Sequence, residues 1–176
     1  MRTTNKWSVR HPPCGLSVTP GNLLVTCWWP NNKLLELSVD NGQCVREIAL
    51  QSDIVGPWHG VKLTTGQYVV SHGITDNLHR VCIVDGDGKV TRSYGGQSGS
   101  GVGQLDEPRH VAVDEDSQFI YVADYCNGRV VLLSSTFEFV RYVSEELSQP
   151  RRLHLNYTTR RLHVSHERFN VVVIHL

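Results

Sequence analysis

Nine of the 176 residues are histidine, and His59, His72, His110 and His166 recur at related places in a repeating phrase. Imidazoles delivered from several equivalent elements are one way to hold a zinc ion, which takes nitrogen, sulfur or oxygen ligands in a tetrahedral array. A second set is aromatic and cationic: Trp28, Trp29, Trp58, His59, Arg109, His110, Tyr125, Arg151, Arg152, Arg168 and Phe169. Trp, Tyr and Arg dominate the hot spots of protein interfaces, and rings set beside guanidinium groups also stack nucleobases. The two sets differ in how well the spacing supports them. His59 lies one place out of register with His110 when Gly60 is aligned with His110, and Arg152 stands where His110 does. Three metal ligands therefore cannot be drawn from equivalent positions, whereas a binding face needs no such equivalence.

Other chemistry finds less support. The glycine run Gly95 to Gly103 lacks the GK[ST] ending and the following helix of a phosphate loop, and reads as a connector whose glycines let backbones approach closely. Asp114 to Asp116 and the Asp85-Gly86-Asp87-Gly88 segment read as solvated turns, the latter too short of ligands for calcium. No Ser/His/Asp or Cys/His set follows a recognisable motif. Cys14, Cys27, Cys44, Cys82 and Cys126 form no CxxC pair and are odd in number, so neither a zinc knuckle nor a disulfide framework is suggested. The expectation is a chain without cofactor or catalytic residues.

The elements that position these residues come from the repeat. Its copies begin PPCGLSVTPGNLLVTC at Pro13, HGVKLTTGQYVVSH at His59, PRHVAVDEDSQFIYVAD at Pro108 and PRRLHLNYTTRRLHVSH at Pro150. Aligning Gly15, Gly60, His110 and Arg152 gives successive spacings of 45, 50 and 42 residues. That period, with several alternating strands per unit and no helical periodicity, predicts an all-β propeller of four-stranded antiparallel blades. In the third unit the strands are expected at His110 to Val113, Phe119 to Ala123, Arg129 to Leu133 and Phe139 to Val143, separated by turn residues such as Asn127-Gly128. The units divide the chain into residues 13–55, 56–105, 106–148 and 149–176 after an N-terminal segment, 1–12, that holds a candidate outer strand at Lys6 to Val9. The fourth unit is expected to stop after three strands. An open set of blades would expose an apolar face and favour self-association.

Seventeen basic and 17 acidic residues cancel, so no overall field draws the chain to nucleic acid or an anionic membrane. From Gln149 onward, however, five arginines face one glutamate, a local excess of +4. No apolar run reaches the ~20 residues of a membrane span. Together with the unpaired cysteines, this leads to the expectation of a cytoplasmic protein that does not enter the membrane.

The third unit, YGGQSGSGVGQLDEPRHVAVDEDSQFIYVADYCNGRVVLLS from Tyr94 to Ser134, resembles the NHL repeat of β-propellers. The glycine-rich approach, the proline, the V-A-V-D alternation, and VAD followed by Asn and Arg all fit. The other units are looser, with Cys27, His72 and His166 in place of Asp124. This drift resembles the NHL domains of invertebrate tripartite-motif-like proteins. The resemblance implies about four blades of a ring that usually has six, and a module that recognises a protein or peptide partner, as in a ubiquitin ligase whose RING and B-box parts lie elsewhere. It also carries two alternatives: single-stranded RNA binding on the loop face, and a zinc-dependent lyase similar to peptidyl-hydroxyglycine amidating enzymes.

Overall fold

The computed structural model describes residues 6–28, 31–75, 78–167 and 170–176. These form 15 strands and no helix. The first sheet comprises β1 (Pro13–Thr19), β2 (Asn22–Cys27), β3 (Lys33–Ser38) and β4 (Cys44–Ala49). The second comprises β5 (Pro57–Lys62), β6 (Tyr68–His72), β7 (His79–Val84) and β8 (Val90–Gly96). The third contains β9 (Pro108–Asp114), β10 (Phe119–Asp124), β11 (Arg129–Leu133) and β12 (Phe139–Ser144), and the fourth β13 (Pro150–Asn156), β14 (Arg161–His166) and β15 (Asn170–His175). Each sheet is an antiparallel meander in chain order, and the four are arranged as propeller blades. All 15 expected strands are present, but each inner strand starts about three residues before its alternating run, at the proline.

Burial follows the two-residue period of a sheet, because each blade presents alternate side chains to its two neighbours. Leu24, Leu34 and Ile48 of the first blade meet Tyr68, Val70, Cys82 and Val84 of the second. Val69, Val81 and Ile83 on the second blade's other face meet Val111, Val113, Ile120, Val122, Val131 and Leu133 of the third. Tyr121, Ala123, Val130 and Leu132 then meet Leu153, Leu155, Leu162 and Val164 of the fourth. The inner strands approach closely enough that a Cβ at Gly15 would lie 2.5 Å from the Trp58 carbonyl. Ser17 Oγ reinforces the same seam by donating to the Gly60 carbonyl at 2.8 Å.

The first blade's other face carries Val25, Cys27, Leu35 and Leu37, with Val9 packed against them. Residues 6–9 pair with no described strand; they cross this face instead, and the Trp7 ring occupies the space that a Cβ at Gly42 would enter. Towards the axis the cover ends, leaving Leu16 59% and Val18 75% exposed. The outward face of the fourth blade is more polar, with His154 and His163 beside exposed Val171 and Val173.

The third blade is tied to the glycine-rich connector by a buried ion pair. Arg129 Nε donates to Asp124 Oδ2 at 2.7 Å, with Asp124 fully buried and Arg129 7% exposed. The Asp106 N–H and Asn127 Nδ2 also donate to this carboxylate, at 2.7 and 2.9 Å. Arg129 spends its remaining donors on the carbonyls of Ser100 and Gln104, at 2.6 and 3.0 Å, and Asn127 reaches Gly99 O at 2.8 Å. Burial pushes the Asp124 carboxyl upward, and these three donors oppose that shift. The connector's backbone thus hydrogen-bonds to side chains, as the absence of strand structure there requires. Asp114, expected in solvent, is fully buried: it accepts from the backbone of Asp116 and Ser117 and pairs with Arg160 of the fourth blade at 2.7 Å. The turn's own N–H groups needed an acceptor, and the Asp114 side chain supplies it.

Removing Arg129 leaves a buried charge without its partner. Arg129→Leu should cost about 3–5 kcal/mol in urea unfolding and make residues 97–104 more sensitive to protease. Adding Asp124→Asn should recover part of the loss; a single-variant cost below about 1 kcal/mol would show that the pair is dispensable.

Candidate functional site

The site begins with a bulge repeated at the start of every inner strand. In the paired registers, Pro13 and Gly15, Pro57 and His59, Pro108 and His110, and Pro150 and Arg152 each span one extra residue relative to the neighbouring strand. The extra residues are Cys14, Trp58, Arg109 and Arg151. A bulge re-aims a side chain that regular alternation would send to a blade face. The residues after the bulge, Gly15, His59, His110 and Arg152, form a second equivalent set at the channel mouth. This corrects the alignment from the sequence: His59, not Gly60, is the counterpart of His110, because the proline and its bulge set the register.

Three of the four bulge residues join one aromatic and cationic row across the rim. The Trp28 and Trp58 ring centroids are 6.0 Å apart. The Arg109 guanidinium carbon lies 4.8 Å from the Trp58 ring centre and 3.4 Å from that of Tyr125, so it is held between two rings. Arg151 approaches the same Tyr125 ring at 5.4 Å. Each cation has an anion: Arg109 binds Glu107 at 2.7 Å, and Arg151 pairs with Glu167, which also accepts from the Tyr125 hydroxyl at 2.8 Å. Trp58 Nε1 donates to Gly73 O at 3.1 Å. Tyr125 is only 6% exposed, whereas Trp28 is 37% exposed.

The backbone before the prolines of the second, third and fourth blades contributes to this order. Gly56, Glu107 and Gln149 all have positive φ, at 61, 50 and 53°. Glycine adopts that conformation freely, but the other two hold it against steric cost. Their side chains lie on the row: Glu107 on Arg109, and Gln149 3.1 Å from the Tyr125 hydroxyl. Glu107, Gln149 and Glu167 were not among the residues singled out from the sequence, although their adjacency to the proline and arginine phrases was visible. Trp29, Arg168 and Phe169, which were, lie outside the described residues.

At the mouth, His59 and His110 stack with centroids 3.6 Å apart and ring planes 17° from parallel. His59 Nε2 lies 3.3 Å from the Leu16 carbonyl, and His110 Nδ1 accepts from Leu153 N–H at 3.4 Å. Arg152 makes no ion pair among the described residues; it donates to the Arg151 carbonyl at 2.9 Å. Burial depresses both imidazoles, His59 to about 4 and His110 to about 2, and the neighbouring Arg152 charge acts in the same direction. The structure therefore brings His59 and His110 together but leaves His72 elsewhere. His72 accepts from Arg80 Nε at 3.3 Å and sits 3.6 Å from Cys82 Sγ inside the second blade. Burial holds His72 down to about 4 and pushes the thiols of Cys14 and Cys27 up to about 11 and that of Cys82 to about 12. Those thiols stay protonated at neutral pH and are not activated nucleophiles. Among the described residues no three His, Cys, Asp or Glu side chains converge as a metal site would require.

Residues 105–131, which hold the third blade's bulge and its Asp124–Arg129 ion pair, match the NHL repeat. No curated protein shows significant sequence similarity to the chain. Among solved structures, a protein of unknown function from Bacteroides caccae is similar at 18% identity and a TM-score of 0.73, over 90% of this chain and 58% of that one. Kuenenia stuttgartiensis hydrazine synthase is similar at 15% identity and a TM-score of 0.69, over 99% and 49%. Virginiamycin B lyase from Staphylococcus aureus is similar at 12% identity and a TM-score of 0.59, over 93% and 55%. This chain spans about half the length of these proteins, and the likeness is one of fold.

The neutral imidazoles give stability a defined pH dependence. An unfolded histidine titrates near 6.5, while His59, His72 and His110 bind a proton only at much lower pH when folded. The unfolded state therefore binds more protons as pH falls below about 6.5. Stability should be complete above that pH and decline towards 4, by up to about 1.4 kcal/mol per pH unit for each histidine. The carboxyls of Glu36, Asp53 and Asp114 are held below their ordinary values, so their contribution is lost only at lower pH. Urea midpoints measured from pH 7 to 5 should fall accordingly, and the slope should shrink in His110→Asn.

Proposed function

We propose that the chain is a non-catalytic binding module that engages a protein or peptide through the rim row of Trp28, Trp58, Arg109, Tyr125 and Arg151. The observation that supports this reading is the guanidinium of Arg109 fixed between two aromatic rings and neutralised by Glu107. A rigid row of this kind loses little side-chain freedom on binding, the cost that most reduces affinity at loop surfaces. It offers Trp28 and Trp58 as large anchors with satisfied polar groups around them. By the resemblance of the third unit, such a module would serve substrate recognition in a tripartite-motif-like ubiquitin ligase of the cytoplasm, with the transfer chemistry carried by other domains.

The same pairing weighs against RNA. Phosphate binding draws its strength from free cations that displace counterions, and Arg109 and Arg151 already hold carboxylates. Base stacking needs an open ring face, and both aromatic partners of Arg109 give a face to the guanidinium. The zinc-lyase reading has no converging ligand set among the described residues to support it.

Capture of partners from a cell extract should be reduced at least about tenfold by Trp58→Ala and should persist after nuclease treatment. Raising salt from 50 to 200 mM should change it little. Loss of every captured partner on nuclease treatment would overturn the protein reading in favour of RNA, and equal capture by wild type and Trp58→Ala would remove Trp58 from the face.

A further inference from the structure

Beside the channel mouth a cavity of about 500 Å³ opens between the uncovered part of the first blade and the start of β13. One side is aliphatic and aromatic, formed by Trp7, Val9, Leu16, Leu23 and Val25, and the other carries Arg152 and the edge of the stacked imidazoles. Two features of this cavity are left unbalanced by the fold. Leu16 is 59% exposed although it continues a buried apolar face. Arg152 lines the cavity without a carboxylate: its rim neighbours Arg109 and Arg151 each hold one, and Arg152 holds none among the described residues. The charges that most affect it are Arg109 and Arg151, of its own sign. The imidazoles beside it are neutral, so they neither compete for an anion nor supply a second cation.

We propose that this cavity binds a medium-chain aliphatic monocarboxylate, with its headgroup on Arg152 and its chain along Val9, Leu16 and Val25. One guanidinium with a free edge matches one carboxylate, whose two oxygens it can grip in parallel. A phosphate or sulfate would ask for more cations than the cavity provides. The volume falls within the range of small-molecule sites, about 300–1,000 Å³, and the apolar wall gives the chain somewhere to leave water. This site shares no residue with the rim row, so failure of one is readable separately from failure of the other.

Calorimetric titration of the purified chain with octanoate, octanol, octylamine and hexanoate tests the assignment. Octanoate should bind at least about tenfold more tightly than octanol, as expected for a charge-assisted pair, and octylamine should not bind. Affinity should rise by up to about fourfold for each methylene from hexanoate to octanoate. Arg152→Gln should erase the preference for octanoate over octanol, and Leu16→Asp should weaken both; each side chain is exposed, and unchanged melting would confirm that the variants fold. Equal binding of octanoate and octanol by the wild type, no binding of either, or undiminished octanoate binding by Arg152→Gln would overturn the proposal. So would binding of a peptide with a free C-terminal leucine when octanoate fails to bind, since the occupant would then be a peptide terminus.

Discussion

Four inner strands can converge on one axis only if their first residues neither collide nor leave polar backbone unpaired, and the bulge after each proline meets both demands. The proline lacks an N–H to leave unpaired, and the extra residue turns its side chain out of the sheet before regular alternation resumes. Every feature of the rim follows. Trp58, Arg109 and Arg151 stand outward because they are the extra residues, and His59, His110 and Arg152 face the axis because they come next. Gly15 takes the fourth axial place, where the Trp58 carbonyl leaves no room for a side chain.

The residue that pairs with each proline shows how the repeats have drifted while keeping one geometry. Cys27, His72, Asp124 and His166 all sit opposite a proline. Only Asp124 is a carboxylate, and only there does the cross-strand arginine find its charge at home. In the second blade Arg80 turns instead to Asp53, and His72 accepts a hydrogen bond as a neutral base. In the first, Lys33 takes Glu47 from the outer strand. A buried cation must have some partner, and three blades meet that need with different carboxylates. The match to the NHL repeat covers the blade that holds this aspartate–arginine pair.

Charge on the rim illustrates how little a local excess says about a surface. The +4 stretch from Gln149 suggested a basic patch. In the folded chain Arg151 lies on Glu167 and Arg160 on Asp114 of the preceding blade. One of those partners is distant in sequence, so the neutralisation is invisible until the blades stack. Arg152, at the mouth, and Arg161 hold no carboxylate among the described residues, so the excess is not a field along the rim.

The sequence by itself determined the blades. Alternation of period two, turn residues between the runs, and a recurrence of about 45 residues dictate short antiparallel sheets that must stack, and the 15 strands lie where those signals put them. It also marked Trp58, Arg109, Tyr125 and Arg151 as belonging together, since residue type and loop position are local properties. Tertiary structure alone decided the register of His59 against His110, because a bulge is a property of two paired strands and shifts one copy by a residue without changing its composition. It alone decided that Asp114 is a buried bridge to Arg160 of the next blade and that Arg151 is held by Glu167, since burial and ion pairing depend on which side chains folding brings within 3 Å.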